Sequence, residues 1–374
     1  GGLRPRWRQE QPKSDDPPRQ DHAEVSTFAT RMHSHARSSP RAVRPHDAQQ
    51  SNASFVAEPS HWSNLEGLLP RASGDTSNFM QDGTNMANSH SGTTGQQHAL
   101  AAGARRIFRR TRGETKKSVT QLVGPSDLGQ LLKPFVLLSY IDFSPETHLP
   151  MKLDAHSGIA SVGMLIGGSL HLRDSQDAPV TLHAGGMEWM CSGSGIWHGG
   201  PFTVSGHTRG FQMWMSLSPE FELTEPREQF LRPDEVPQAG CARILLGHYG
   251  ELRSPIDATW PITYLHVRLS AGDGWRYEPP RDHDVLWIAL HSGSLDVGST
   301  VEQGELVIFD DGNQAVEIRA LADCEFLLGS ALRSPYDLVR SSGSIHASAD
   351  ALRRAQMQIE RVAGELRKQG RLQA

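Results

Sequence analysis

Two stretches of the chain repeat one pattern, and that repeat constrains the fold more than any other feature. Val162-Gly-Met-Leu-Ile-Gly-Gly-Ser-Leu170 parallels Val285-Leu-Trp-Ile-Ala-Leu-His-Ser-Gly-Ser-Leu295. Each is an apolar run, a Gly-Ser turn and a Leu that opens the next run. Each leads through a second Gly turn, Gly185-Gly186 or Gln303-Gly304, into another apolar segment. An internal echo of this kind is the mark of a duplicated structural unit. The candidate strands fall into two matching sets. The first is Phe135–Phe143, Ala160–Ile166, Ser169–Arg173, Met187–Cys191 and Phe211–Leu217; the second is Ile262–Leu269, Val285–His291, Glu305–Phe309, Val316–Arg319 and Glu325–Gly329. Many short apolar strands punctuated by Gly, Pro, Asp and Ser predict an all-β barrel or sandwich. The polar, proline-containing stretch Pro233–Gly240 marks the join, so the expected units are residues 116–237 and 238–374.

The flanks differ from this texture. Residues 1–115 are rich in Arg, Ser, Gln, Asn, His, Gly and Pro, with no sustained period of 2 or 3.6 residues. Such a segment buries too little apolar surface to offset an ordering cost of about 1–2 kcal/mol per residue, and it is expected to be a disordered extension. Arg105, Arg106, Arg109, Arg110, Arg112, Lys116 and Lys117 cluster before the first strands and read as a solvated linker. At the other end Leu352, Ala355, Ile359, Val362 and Leu366 form one helical stripe, with Ser348 as N-cap and Gly370 as stop signal.

Composition excludes several classes. A formal net charge of -5 gives no global electrostatic case for nucleic acid. The three cysteines, Cys191, Cys241 and Cys324, are odd in number and lack zinc-ligand spacing, which predicts a reducing, cytoplasmic setting without a disulfide framework. No apolar run is long enough to span a bilayer, so no membrane association is expected. The chain opens Gly1-Gly2 without a Met, which reads as a fragment or a processed product.

A series of motifs then resembles the pirin family: Lys133-Pro-Phe-Val136, His156-Ser-Gly-Ile-Ala160, Gly186-Met-Glu-Trp-Met190, Gly195-Ile-Trp-His198, Arg209-Gly-Phe-Gln-Met-Trp214, Arg243-Ile-Leu-Leu-Gly247, Trp275-Arg-Tyr-Glu-Pro-Pro280 and Leu328-Gly-Ser330. The resemblance runs in order from about residue 105 to the end. It implies two tandem cupin barrels with a C-terminal helix, and a non-haem Fe(II) or another divalent metal in the first barrel. The family includes flavonol dioxygenases of the quercetinase type and transcriptional co-regulators that sense iron redox state. A dioxygenase acting on an aromatic small molecule is the leading expectation. A non-catalytic, metal-sensing binding protein with a protein partner is the alternative.

Family members hold the metal with a His-x-His pair, a later His and a Glu two residues beyond it. The matching positions here are Asp154, His156, His198 and Gly200. One ligand is changed and one is absent. The site has either decayed or survives as Asp154, His156 and His198, the two-histidine, one-carboxylate set of non-haem iron oxygenases. Asp154 and His156 have strand parity, which sends both side chains to one face. Glu188 reads as a core-edge hydrogen-bonding residue, His171, His183 and His207 as surface or loop histidines, and Trp189, Trp197, Trp214, Met190 and Met213 as core. His283 matches no ligand pair, so the second barrel reads as metal-free.

Overall fold

A computed structural model describes residues 105–145, 153–173, 178–199 and 202–372. The expectations for residues 1–104 lie outside this range.

Two antiparallel sheets form the backs of two barrels. In the first, the spatial order is Arg227–Leu231, Met187–Cys191, Ile159–Arg173, Thr203–Ser216, Phe135–Phe143, Val119–Val123 and Glu114–Lys116, with Pro179–His183 pairing along the far end of Ile159–Arg173. In the second, the order is Ile107–Thr111, Leu306–Phe309, Val285–Ser292, Cys324–Ala331, Ile262–Leu269, Ala242–Leu246 and Gln238–Ala239. A four-stranded sheet, Gly274–Tyr277, Val316–Ala320, Ser294–Asp296 and Thr300–Glu302, closes the second barrel. A two-stranded ribbon, Leu153–His156 with Ile196–Gly199, carries part of the first.

The strands read as nearly continuous apolar runs because both faces are buried. Ile141, Phe143, Leu165, Leu170 and Leu182 fill one end of the first barrel. Leu265, Ile288 and Leu328 meet Leu295, Val301 and Ile318 between the two sheets of the second. The remaining faces pack barrel against barrel: Leu138, Val162, Met187, Trp189 and Met213 belong to the same cluster as Tyr264, Trp287 and Leu327. Phe135 meets Trp287 edge to face across this seam, with centroids 5.2 Å apart.

Two elements depart from the sequence expectation. The runs 160–166 and 169–173 form one strand, Ile159–Arg173. Gly168 has φ +69° and the pairing with Thr203–Ser216 slips between Ser205 and Arg209, so Gly167-Gly168 bends a single strand. The corresponding Gly293, φ +78°, does separate two strands. The expected extension also ends early. Ile107–Thr111 pairs with Leu306–Phe309 of the second barrel, and Glu114–Lys116 pairs with Val119–Val123 of the first. These edge strands lack an apolar period because backbone pairing and arginines hold them. Arg105 is buried, its Nε donating to the carbonyl of Asp310 at 2.6 Å. Arg110 and Arg112 donate to the carbonyls of Thr300 and Gln303, each at 2.7 Å.

The C-terminal helix spans Ala349–Lys368, and Ser348 caps it by accepting from the amide of Ala351. Ala351, Ala355, Ala363 and Leu366 are its buried residues. No described helix is long and apolar enough to cross a membrane. The three cysteines are free.

Candidate metal centre

The ribbon Leu153–His156/Ile196–Gly199 positions the three expected ligands. Asp154 stands directly opposite His198, and His156 lies two residues beyond Asp154, so all three side chains share one face. All three are buried.

Each histidine has its protonation geometry set by a neighbour. The Nδ1 of His156 lies 2.9 Å from the carbonyl oxygen of Gly343. A carbonyl only accepts, so Nδ1 carries the hydrogen and Nε2 keeps its lone pair. The ring sits edge-on to Trp214, with centroids 5.3 Å apart. Burial pushes His156 below the usual histidine range despite the opposing pull of Asp154. His198 is held differently. Its Nδ1 is 2.6 Å from Glu228 Oε1 and its Nε2 is 3.2 Å from Glu188 Oε1. Burial alone would lower its pKa, but the charges and hydrogen bonds of Glu188 and Glu228 overcome burial and raise it to about 10.

Glu188 and Glu228 come from the back sheet. Strand register places Ser139, Gln212, Gly163 and Glu188 in one row, with Gln212 opposite both Ser139 and Gly163 and Gly163 opposite Glu188. The row one step along contains Leu137, Trp214, Ser161, Met190 and Glu228. Ser139, Gln212, Ser161 and Glu188 are all buried. A polar floor inside an otherwise apolar barrel is costly unless it serves a ligand or a network.

Among the described residues, the three whose candidate ligand atoms all stand within 4.8 Å of one another are Glu188, His198 and Glu228. Of the three expected ligands, His198 belongs to this group, whereas Asp154 and His156 lie outside it. Glu188, expected at the core edge, is thus part of the site. Its signal was a lone carboxylate in the apolar strand Met187–Cys191. Glu228 had no such signal, because its segment is polar and only the pairing of Arg227–Leu231 with Met187–Cys191 brings it inward. His207 is exposed and pairs with Asp142, away from the cluster. In the second barrel, His283 Nδ1 lies 2.8 Å from Ser330 Oγ, which in turn lies 2.6 Å from the Tyr277 hydroxyl.

The C-terminal segment covers one side of the ribbon. His346 places Nε2 2.9 Å from Ser157 Oγ and Nδ1 3.0 Å from Glu222 Oε2. This is the connectivity of a hydrolytic triad. The Ser157 hydroxyl is fully buried against Ser344 at 2.9 Å, however, so the network ties the segment down. Trp197 Nε1 donates to the carbonyl of Ile359 at 3.0 Å. Between helix and ribbon lies a cavity of about 380 Å³ lined by Leu153, Ile196, Trp197, Arg227, Glu228 and Leu366, among others. Through Glu228 it reaches the group that holds His198.

The pirin family profile matches residues 114–215, which contain the ribbon and most of the back sheet. A Pseudomonas aeruginosa protein, named provisionally as a quercetin 2,3-dioxygenase, is 28% identical over 226 residues, covering 56% of this chain and 79% of its own length. Pirin-like protein 2 of Arabidopsis thaliana is 24% identical over 240 residues, covering 62% of this chain and 74% of its own. The crystal structure of a quercetin 2,3-dioxygenase from Acinetobacter baumannii superposes with a TM-score of 0.62 at 18% identity, over 69% of this chain and 97% of that one. At that identity the likeness concerns the fold, two cupin barrels in tandem. The family profile lies on the barrel that holds the site, and over residues 114–215 the chain is similar to the pirin family.

Proposed function

We propose that the first barrel holds a divalent metal through His198, His156 and Asp154, and that the protein is a dioxygenase acting on a flat aromatic small molecule of the flavonol type. The carrying observation is the preparation of both imidazoles. Gly343 fixes His156 in the tautomer whose Nε2 is ready to ligate, and Glu228 holds the Nδ1 side of His198. Two imidazoles and a carboxylate on one buried face form a donor set that suits a non-haem iron ion. Such an ion, when bound, supplies a Lewis-acidic and redox-active centre.

The chain's own residues would bind and orient the reactants. Burial of the donors keeps bulk water out. The cavity beside Trp197 is of small-ligand size and reaches Glu228, whose carboxylate meets His198, and Trp197 offers an aromatic surface to a planar ring. The names of the relatives motivate a flavonol as the trial substrate. Protein loaded with Fe(II) should consume dioxygen when given quercetin, and His198→Ala should abolish both iron retention and uptake. Tight iron binding without oxygen uptake on any flavonol would remove the substrate assignment.

A second reading is favoured by one observation. Asp154 and His156 stand outside the close group around His198. Donors spread in this way hold an ion weakly, which suits a protein that senses metal without turnover and acts through a protein partner. Metal-dependent binding of such a partner, with no oxygen uptake, would favour it.

A further inference from the structure

We propose that Glu188 is a metal ligand alongside His198, and that Glu228 is the carboxylate that orients His198 from behind. The inference rests on the reading that the first barrel binds a divalent metal.

The distances distinguish the two carboxylates. Two donor atoms each about 2.1 Å from one small ion, at angles of roughly 90–110°, stand about 3.0–3.4 Å apart. Glu188 Oε1 and His198 Nε2 are 3.2 Å apart. Glu228 Oε1 and His198 Nδ1 are 2.6 Å apart, too close to share an ion and typical of a strong charge-assisted hydrogen bond. A carboxylate on one imidazole nitrogen with a metal on the other is a recurrent arrangement, because it fixes the ring and raises its basicity. The ribbon presents His198 with each nitrogen aimed at a different strand of the back sheet, so the two roles cannot be exchanged without turning the ring over.

Packing supports the assignment. Glu188 projects from Met187–Cys191 into the barrel between Phe230 on one neighbouring strand and Gly163 on the other, and Gly163 contributes no side chain there. The side chains of Glu188 and His198 are each 4% exposed. At the sequence position where a ligating carboxylate would follow His198 by two residues the chain has Gly200. Glu188 reaches the same histidine from the neighbouring sheet and supplies a carboxylate in its place.

Titration of the full chain with Co(II), read by its d–d absorption, tests this. Wild type should bind. Glu188→Gln should weaken binding more than about 100-fold and change the band shape. Glu228→Gln should weaken it by about 10-fold with the band shape kept, as for the loss of an outer carboxylate. Wild-type affinity and spectrum in Glu188→Gln would overturn the assignment while leaving a metal site in the first barrel. Failure of wild type to bind would overturn both. If Glu188→Gln does not fold, Glu188→Asp carries the test: a shifted spectrum supports ligation, and an unchanged one overturns it.

Discussion

The Nδ1 of His156 hydrogen-bonds the carbonyl of Gly343, a residue 187 positions away that follows the second barrel in sequence. A candidate ligand of the first barrel is therefore oriented by the C-terminal segment. Gly343 has φ +66°, and a Cβ there would stand 2.6 Å from the carbonyl oxygen of Ala155. Gly343→Ala should displace the Ala155–His156 backbone and lower metal affinity about 10–100-fold, the usual scale for losing an outer partner of a ligating histidine. Metal titration checks this, and unchanged affinity would contradict it.

Trp197 anchors the C-terminal helix by one hydrogen bond, to the carbonyl of Ile359. Trp197→Phe keeps most of the apolar contact and removes the donor. The expected loss is about 1 kcal/mol of stability. Amide exchange across Ala349–Lys368 should accelerate, while the barrel strands stay protected.

Tyr264 is fully buried at the seam between the barrels, and its hydroxyl has no hydrogen-bond partner among the described residues. Burial pushes its pKa far up. Tyr264→Phe removes an unpaired polar atom and little else. Thermal unfolding should show a neutral to stabilising change of up to about 1 kcal/mol. A loss of 2 kcal/mol or so would reveal a partner for that hydroxyl.

Glu325 receives hydrogen bonds from His266 Nε2 at 2.7 Å and from Arg268. Burial would raise its pKa, but His266 and Arg268 prevail and lower it to about 2. The partner moves the other way in balance: burial outweighs Glu325 and keeps His266 below the usual histidine range, so it donates as a neutral ring. A carboxylate depressed in the folded state stabilises above its unfolded pKa of about 4.3 and loses that contribution as pH falls toward 2. Glu325→Gln should cost about 1–2 kcal/mol at pH 7. The gap to wild type should close between about pH 4.5 and pH 2. A gap independent of pH would mean that packing, not charge, is what Glu325 provides.

The barrels were legible because their strands carry the signal themselves. Phe135–Phe143, Met187–Cys191 and Ile262–Leu269 match the expected runs at both ends. The C-terminal helix follows its stripe and its Ser348 cap. What escaped depended on long-range pairing. Ile107–Thr111 is an exposed edge strand with no apolar period, and only its register with Leu306–Phe309 makes it a strand. The site divides in the same way. Asp154, His156 and His198 were visible because their spacing resembles a family motif. Glu228, His346 and Gly343 were not, since each meets the ribbon through contacts that local sequence does not encode.

The proposed site is one divalent metal in the first barrel, held through His198, with none in the second. Crystals grown with Co(II) and measured at the cobalt edge should show a single anomalous peak about 2.0–2.2 Å from His198 Nε2. No peak in the first barrel, or one beside His283 in the second, would contradict it.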